Sequence, residues 1–413
     1  MAILHPTRRI QALLPLYAQR FSCIGSDCED TCCAGWKVPI DKKTFDAYKE
    51  SKNPRLAERF ELQIKQPQNP VSDKNYAHID LSPTTGDCPM LEERLCAIHQ
   101  ELGEDKLSNT CFTYPRTTTA VGDFHQQSLT LSCPEAARLA LLAPDAFEFS
   151  QSDISVREDA VSRLVPPPGI SMEQINAIRF FCIQLIRGDR LETWQKLAVL
   201  GLFCESLSAA ITAGEYSRIP QIMESTKALI ESGECLDLFS GMQPLYDIQA
   251  MTFANLWHVK SKGKVVSRSQ TAVDQAIAQG IGADPQTGDV TVSVLTERYR
   301  QGIKRLPEAL KEVPFLLENY VVNEMWRECF PFAEMAPYAH YLRLVIRFGQ
   351  IRFMLATQCS QENSLPSHRF MAQVVQTFCR RYQHDTQFTK NVNNWFTSSG
   401  WNELHKIYRL LII

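Results

Sequence analysis

Four cysteines, Cys23, Cys28, Cys32 and Cys33, fall within eleven consecutive positions of the stretch FSCIGSDCEDTCCAGW at 21–36. Cys88 and Cys96 follow in CPMLEERLCAIH, Cys111 in SNTCFTYPR and Cys133 in SLTLSCPE, so eight of the fourteen cysteines precede residue 134. A segment this rich in thiols is organised by disulfides or by a metal, and the redox compartment decides between them. The opening MAILHPTRRIQALLPLYAQRF lacks the uninterrupted apolar run and small-residue cleavage site of a secretory signal. No apolar run approaches the roughly 18 residues that cross a bilayer. The expected setting is therefore cytoplasmic, where thiols stay reduced and metal ligation is their favoured use. Thiolates are soft anionic ligands that suit zinc or an iron–sulfur cluster, and either needs about four of them at one point. The spacings C-x4-C-x3-C-C and C-x7-C contain no C-x2-C pair of the kind usual in zinc sites, which favours iron–sulfur over zinc.

Composition removes other classes. With 44% apolar residues in 413, the chain can bury a sizeable core and form two or three domains. A net charge of -3 without a basic run leaves no electrostatic footprint for nucleic acid. The VPPPG run at 165–169 is the best boundary, dividing a Cys-rich metal or iron–sulfur domain at 1–164 from a helical domain at 170–413. Before it, residues 1–20 read as a short helix interrupted by Pro15, and Asp41 caps a helix carrying Phe45 and Tyr48. Residues 51–87, with Pro54, Pro67, Pro70 and Pro83, read as loops and small strands. Beyond it, Ser171 and Gln174 form a capping box for a helix closed by Gly188. A second helix over 191–213 is ended by Gly214. Further helical patterns cover 217–231, 243–259, 271–279, 291–304, 308–329, 336–358, 366–383 and 400–411. The expected class is mainly α: a small irregular Cys-rich N-terminal domain followed by a larger all-helical one.

Cys182, Cys204, Cys235, Cys329, Cys359 and Cys379 lie singly, mostly in apolar helical contexts, and are assigned to the core. His99, on a short helical turn, is assigned a structural role. Tyr114 and Arg116 flank Cys111 closely enough to accept a proton and bind a substrate carboxylate, or else Arg116 neutralises an anionic thiolate group. Asp30, between Cys28 and Cys32, is a second candidate proton acceptor. No GxxxxGK[ST], HExxH, GxSxG or GxGxxG pattern is present. The C-terminal WNELHKIYRLLII is either a last helix docked on the core or an exposed apolar patch for oligomerisation or a membrane surface.

The order FSCIGSDCEDTCCAGWKVPID, CPML, CAIH, LSNTCFTYPR and SLTLSCPEAARL, over about 21–138, resembles the cysteine-rich iron- or zinc-chelating family and, in this full form, the bacterial flagellin lysine N-methylases. The resemblance implies transfer of methyl from S-adenosylmethionine to flagellin lysines in the cytosol before export, with a [4Fe–4S] cluster. It also implies homo-oligomers loosely associated with the inner membrane. Ligand roles pass to Cys23, Cys28, Cys32, Cys33, Cys88, Cys96, Cys111 and Cys133 as a group. Cys28-x3-Cys32 followed at once by Cys33 departs from the C-x3-C-x2-C signature of radical S-adenosylmethionine enzymes, so polar methyl transfer is expected. Arg116 is then the candidate for holding the donor's carboxylate, and Tyr114 and Asp30 for taking the proton. The competing readings are a non-catalytic metal-stabilised module that binds a protein partner and a purely structural zinc protein.

Overall fold

The computed structural model describes residues 4–36, 38–261, 268–332, 335–361 and 364–413. Residues 1–20 do not carry the expected broken helix. They contain the strand Thr7–Pro15 and then the single helical turn Leu16–Gln19. Alternation explains the strand, because Ala12 and Leu14 are buried while Arg9 and Gln11 face water. Its partners lie far along the chain. It runs antiparallel to Phe149–Arg157, with Ile10 opposite Ile154, and parallel to Phe124–Leu129. Arg116–Val121 and Ser162–Arg163 complete a five-stranded sheet with Ser162–Arg163 at one edge and Phe149–Arg157 at the other. The hairpin joining Arg116–Val121 to Phe124–Leu129 turns at Gly122, whose φ of +58° suits the first position of a two-residue turn.

A second, smaller unit lies between the first and second of those strands in sequence. Val38–Ile40, Ala77–Ile79 and Ile64–Lys65 form a three-stranded sheet. The helix Lys42–Lys49 starts as expected at Asp41, whose carboxylate accepts from the Thr44 amide at 3.0 Å. A helix not foreseen, Ala57–Gln63, brings Phe60 into a stack with Tyr48 at 4.3 Å. Ile40, Leu56, Ile79 and Met90 close this small core, and Cys33, Cys96 and Cys111 pack on its edge.

From Met172 onward the described residues carry twelve α-helices and no strand, as the periodicity predicts. The Ser171 and Gln174 capping box forms, and Gly214 ends the next helix at φ +71°. Two helices were not foreseen: Glu234–Phe239, too short to show a period, and Thr386–Ser398, whose apolar residues Phe388, Val392, Trp395 and Phe396 do recur at helical spacing. Pro337–Cys359 is the axis, buried on nearly every face. Gly302 comes so close to the Ala356 carbonyl that any side chain there would collide with it. Thr193–Ala213 is, among the described residues, the one helix long and apolar enough to cross a membrane, contrary to the expectation that no run approaches that length. Its apolar window is 56% buried inside the fold. The last helix, Leu404–Leu411, is docked: Leu410, Leu411 and Ile412 are buried, and Arg352 donates to the Leu410 carbonyl at 2.7 Å.

All six scattered cysteines are buried, as expected. The larger core joins Leu14, Leu129 and Leu141 to Phe203, Trp326 and Phe353, so it contains residues from both sides of 165–169. The proline run thus separates two kinds of secondary structure without separating two hydrophobic cores, and Val165 on it is exposed.

Candidate functional site

The thiol-bearing loop is held by backbone bonds to the small unit. Gly35 donates to the Gly86 carbonyl at 2.9 Å and Cys88 to the Cys33 carbonyl at 2.7 Å. The Trp36 indole donates to the Cys32 carbonyl at 2.7 Å, folding the loop back on itself. Cys96 sits opposite Leu91 in a two-stranded ribbon, Cys111 lies in the short helix Asn109–Thr113 begun by Ser108, and Cys133 precedes the helix Pro134–Leu141. Cys23 and Cys32 are exposed, Cys88 is buried, and the other five thiols are half-buried.

Electrostatics shows which thiols face one another. Cys32 and Cys33 Sγ atoms stand 3.9 Å apart. The Cys33 thiol hydrogen-bonds to Cys32 and pulls it down to about 7, with Arg380 adding to the effect, while Cys33 itself is pushed strongly up. Burial pushes Cys88 up to about 11 and Cys111 up to about 12, and in both cases Cys96 and Cys32 add to the rise. Cys133 is likewise pushed up to about 12 by burial, then by Cys28 and Cys32. Cys32 therefore lies where two sets meet, one of Cys33, Cys88, Cys96 and Cys111, the other of Cys28 and Cys133. Buried thiols that destabilise one another's charged forms suit a soft cation, which would compensate several thiolates at once. As placed, no three His, Cys, Asp or Glu side chains among the described residues stand close enough to hold an ion.

Helix His368–Tyr382 closes this region from the far end of the chain. Arg380 Nη1 lies 2.6 Å from Asp30 Oδ2, with the Asp30 side chain 1% exposed. Arg380 Nη2 also donates to the Ala34 carbonyl at 2.8 Å, and Gln376 donates to the Ser132 carbonyl at 2.8 Å. A hydroxyl chain runs beside them. Tyr114 Oη is 3.1 Å from Ser132 Oγ, which is 3.0 Å from His384 Nε2. The Trp36 ring lies against both Tyr114, at 5.9 Å, and His384, at 6.0 Å. Burial holds the Tyr114 phenol well above its ordinary value. His384 is pushed below its ordinary value, first by desolvation of the ring and then by Arg327, although part of the residue remains in water.

Of the sequence-based candidates, Asp30 and Tyr114 come to this junction, with different standings, and among the described residues no contact ties Arg116 to it. Asp30 is locked in an ion pair. Tyr114 belongs to the hydroxyl chain. Arg116 opens the strand Arg116–Val121, exposed, with its guanidinium 5.1 Å from the centre of the Phe21 ring. Sequence reasoning missed Gln376, Arg380 and His384. Their signal was present in part, as Arg380 and Arg381 are two successive cations in an otherwise amphipathic helix, but nothing local says that one of them meets residue 30.

The helices that frame this junction correspond to a known domain: residues 179–410 match the family described as FliB lysine N-methylase C-terminal domain. The chain belongs to the FliB lysine N-methylase family. Membership makes it an enzyme, a lysine N-methylase. Its relatives include the lysine-N-methylases of Salmonella typhimurium and Salmonella choleraesuis, each 24% identical over 400 residues, covering 93% of this chain and 94% of the relative. The flagellar biosynthetic protein FliU of Salmonella muenchen is 34% identical over 160 residues, 38% of this chain and 92% of that protein. No solved structure matches the chain. Arg380, Gln376 and His384 all fall within the matched FliB segment, so the thiol loop is fastened to the domain that defines the family.

Proposed function

We propose that this FliB-family enzyme transfers a methyl group from S-adenosylmethionine to the side-chain nitrogen of lysines on flagellin, with a [4Fe–4S] cluster held by four of the eight N-terminal thiols. The reaction is supported by the family and by the names of the relatives, and the flagellar substrate by the similarity to FliU. One observation supports a role for the thiol region in this reaction: the Asp30 and Arg380 ion pair, which seats the cysteine loop on the helices of the FliB domain. When bound, the cluster supplies thiolate-held iron that orders the loop and offers a soft contact for a sulfur-bearing donor with no change of redox state. Flagellin would meet the enzyme in the cytosol, before export, with the enzyme in oligomers loosely associated with the membrane.

The transfer itself asks for alignment and for removal of one proton. A neutral lysine amine attacks the methyl carbon, the carbon–sulfur bond breaks, and its electron pair stays on sulfur as S-adenosylhomocysteine. Lysine, with a reference pKa near 10.4, reaches the site protonated and must first lose a proton. Tyr114 stays a neutral phenol, so it serves as a relay: its oxygen accepts the lysine proton while its own proton passes to Ser132 and on to the neutral His384 imidazole. Asp30, neutralised by Arg380, orients the loop that carries the thiols, and Arg116 holds the donor's carboxylate.

The test is transfer of label from methyl-labelled S-adenosylmethionine to purified flagellin by anaerobically prepared enzyme. Labelled methyllysine is expected. Absence of label with enzyme containing its full iron and sulfide would contradict the reading.

A further inference from the structure

Three cavities differ sharply in size and lining. The one beside Arg343 and Phe378 has a volume of about 30 Å³, room for a water or two. The one between Gln184 and Glu231 has about 260 Å³ and lies against the Thr193–Ala213 helix. The third, of about 530 Å³, opens between the five-stranded sheet and the short Asn109–Thr113 helix. It falls in the range of small-molecule sites, roughly 300–1,000 Å³.

The lining of the third cavity is of mixed charge. Arg116, Arg157, Glu104 and Asp153 all line it, while Phe21 and Phe112 supply apolar wall. Arg157 is 2% exposed, and its terminal nitrogens are taken by the Leu107 and Glu104 carbonyls at 2.7 and 2.9 Å. Its Nε is buried without a partner among the described residues. A buried unpaired donor of this kind costs free energy unless something else satisfies it. Asp153 is exposed and has no ion-pair partner among the described residues. Two cations matched by two anions disfavour a polyphosphate or nucleic acid, which would ask for a basic lining. They suit a zwitterion that carries an aromatic group.

We propose that this cavity, walled by Arg116, Arg157, Asp153, Phe21 and Phe112, binds the methyl donor, an adenosine-bearing amino acid. The proposal rests on the methylase reading above and gives it a location. Arg116 takes the α-carboxylate, Asp153, on the edge strand across the sheet, takes the ribose hydroxyls, and the adenine lies against Phe112, whose ring also carries the Arg157 guanidinium at 3.9 Å. Position argues for it as well. Residues 112, 113 and 116 line the cavity, so the stretch that walls it also carries Tyr114, the first hydroxyl of the proposed relay, and follows directly on Cys111. Tyr114 itself does not line the cavity, so the link to the thiol region and the proton path is one of neighbouring positions in the chain.

Equilibrium binding of S-adenosylhomocysteine to the full-length, cluster-loaded protein tests the assignment, with iron and sulfide content and thermal unfolding measured in parallel. Arg116→Gln and Asp153→Asn should each weaken binding about 10- to 100-fold, as expected for loss of a charge-assisted contact. Arg190→Gln, in the 260 Å³ cavity, should leave binding within about twofold of wild type. Wild-type affinity in both cavity variants would overturn this location while leaving the methylase reading intact. No measurable binding of S-adenosylhomocysteine or S-adenosylmethionine to the wild type would overturn both.

Discussion

Arg380 and Asp30, 350 positions apart in the chain, form an ion pair of 2.6 Å in which the two side chains are 10% and 1% exposed. The pair joins the thiol loop to the FliB domain, and Gln376 adds a second bond from the same helix to the Ser132 carbonyl. Removing one partner strands the other charge away from water. Arg380→Met should therefore destabilise the protein by about 3–5 kcal/mol, and the double variant with Asp30→Asn by clearly less. Denaturant unfolding of the two single variants and the double variant measures this. Simple additivity of the two losses would contradict a coupled pair.

The thiols facing the loop and those in the core should behave oppositely. Anaerobically purified protein is expected to contain about four iron and four sulfide per chain. Cys32→Ser and Cys28→Ser should bleach it, because a hydroxyl is a poor substitute for a soft thiolate. Cys182→Ser and Cys359→Ser lie in helices buried far along the chain and should keep the iron. Stoichiometric zinc without sulfide in the wild type would contradict the cluster assignment.

Much of the helical part was legible because its signals are local. Asp41, Ser171 with Gln174, Gly188 and Gly214 mark helix ends through caps that need only neighbouring residues. The strand Thr7–Pro15 was not legible, since its alternation is short and its partner sits some 140 residues later, at Phe149–Arg157. The grouping of eight cysteines was plain in the sequence, yet the residues that close over them, Gln376, Arg380 and His384, are placed by tertiary packing alone. Asp30 looked like a base by its position between thiols. Only the structure shows it paired to an arginine.

Acid should weaken the fold through His340. The residue is 2% exposed, and its Nε2 lies 2.8 Å from Arg343 Nη2 and 3.2 Å from Glu328 Oε2. Burial above all, and Arg343 after it, push His340 below its ordinary value, against the pull of Glu328. The folded form then binds fewer protons than the unfolded form, whose histidine titrates near 6.5. Its contribution to stability is complete above about pH 6.5 and is lost as pH falls from there toward the lowered value. Burial would raise Glu328, but Arg347 and Arg327 hold it well below its usual range, so its own contribution fades only in stronger acid. Thermal unfolding at pH 7.5 and 5.5 should show a smaller drop for His340→Gln than for wild type. Equal drops would contradict this role.

Leu410, Leu411 and Ile412 are part of the core, while Ile413 is exposed. Leu411 is fully buried, and Arg352 donates to the Leu410 carbonyl at 2.7 Å. Leu411→Ala should cost about 2–5 kcal/mol. Deletion of residues 409–413 should give insoluble protein, since it strands the Arg352 guanidinium as well. Soluble, active and smaller assemblies after the deletion would contradict the docked role.

Polar methyl transfer is most directly tested by product analysis of a single reaction mixture containing anaerobic enzyme, flagellin and S-adenosylmethionine without reductant. The account predicts S-adenosylhomocysteine and methyllysine in equal amounts and no 5′-deoxyadenosine. Formation of 5′-deoxyadenosine in step with methyllysine, and only when reductant is added, would contradict it.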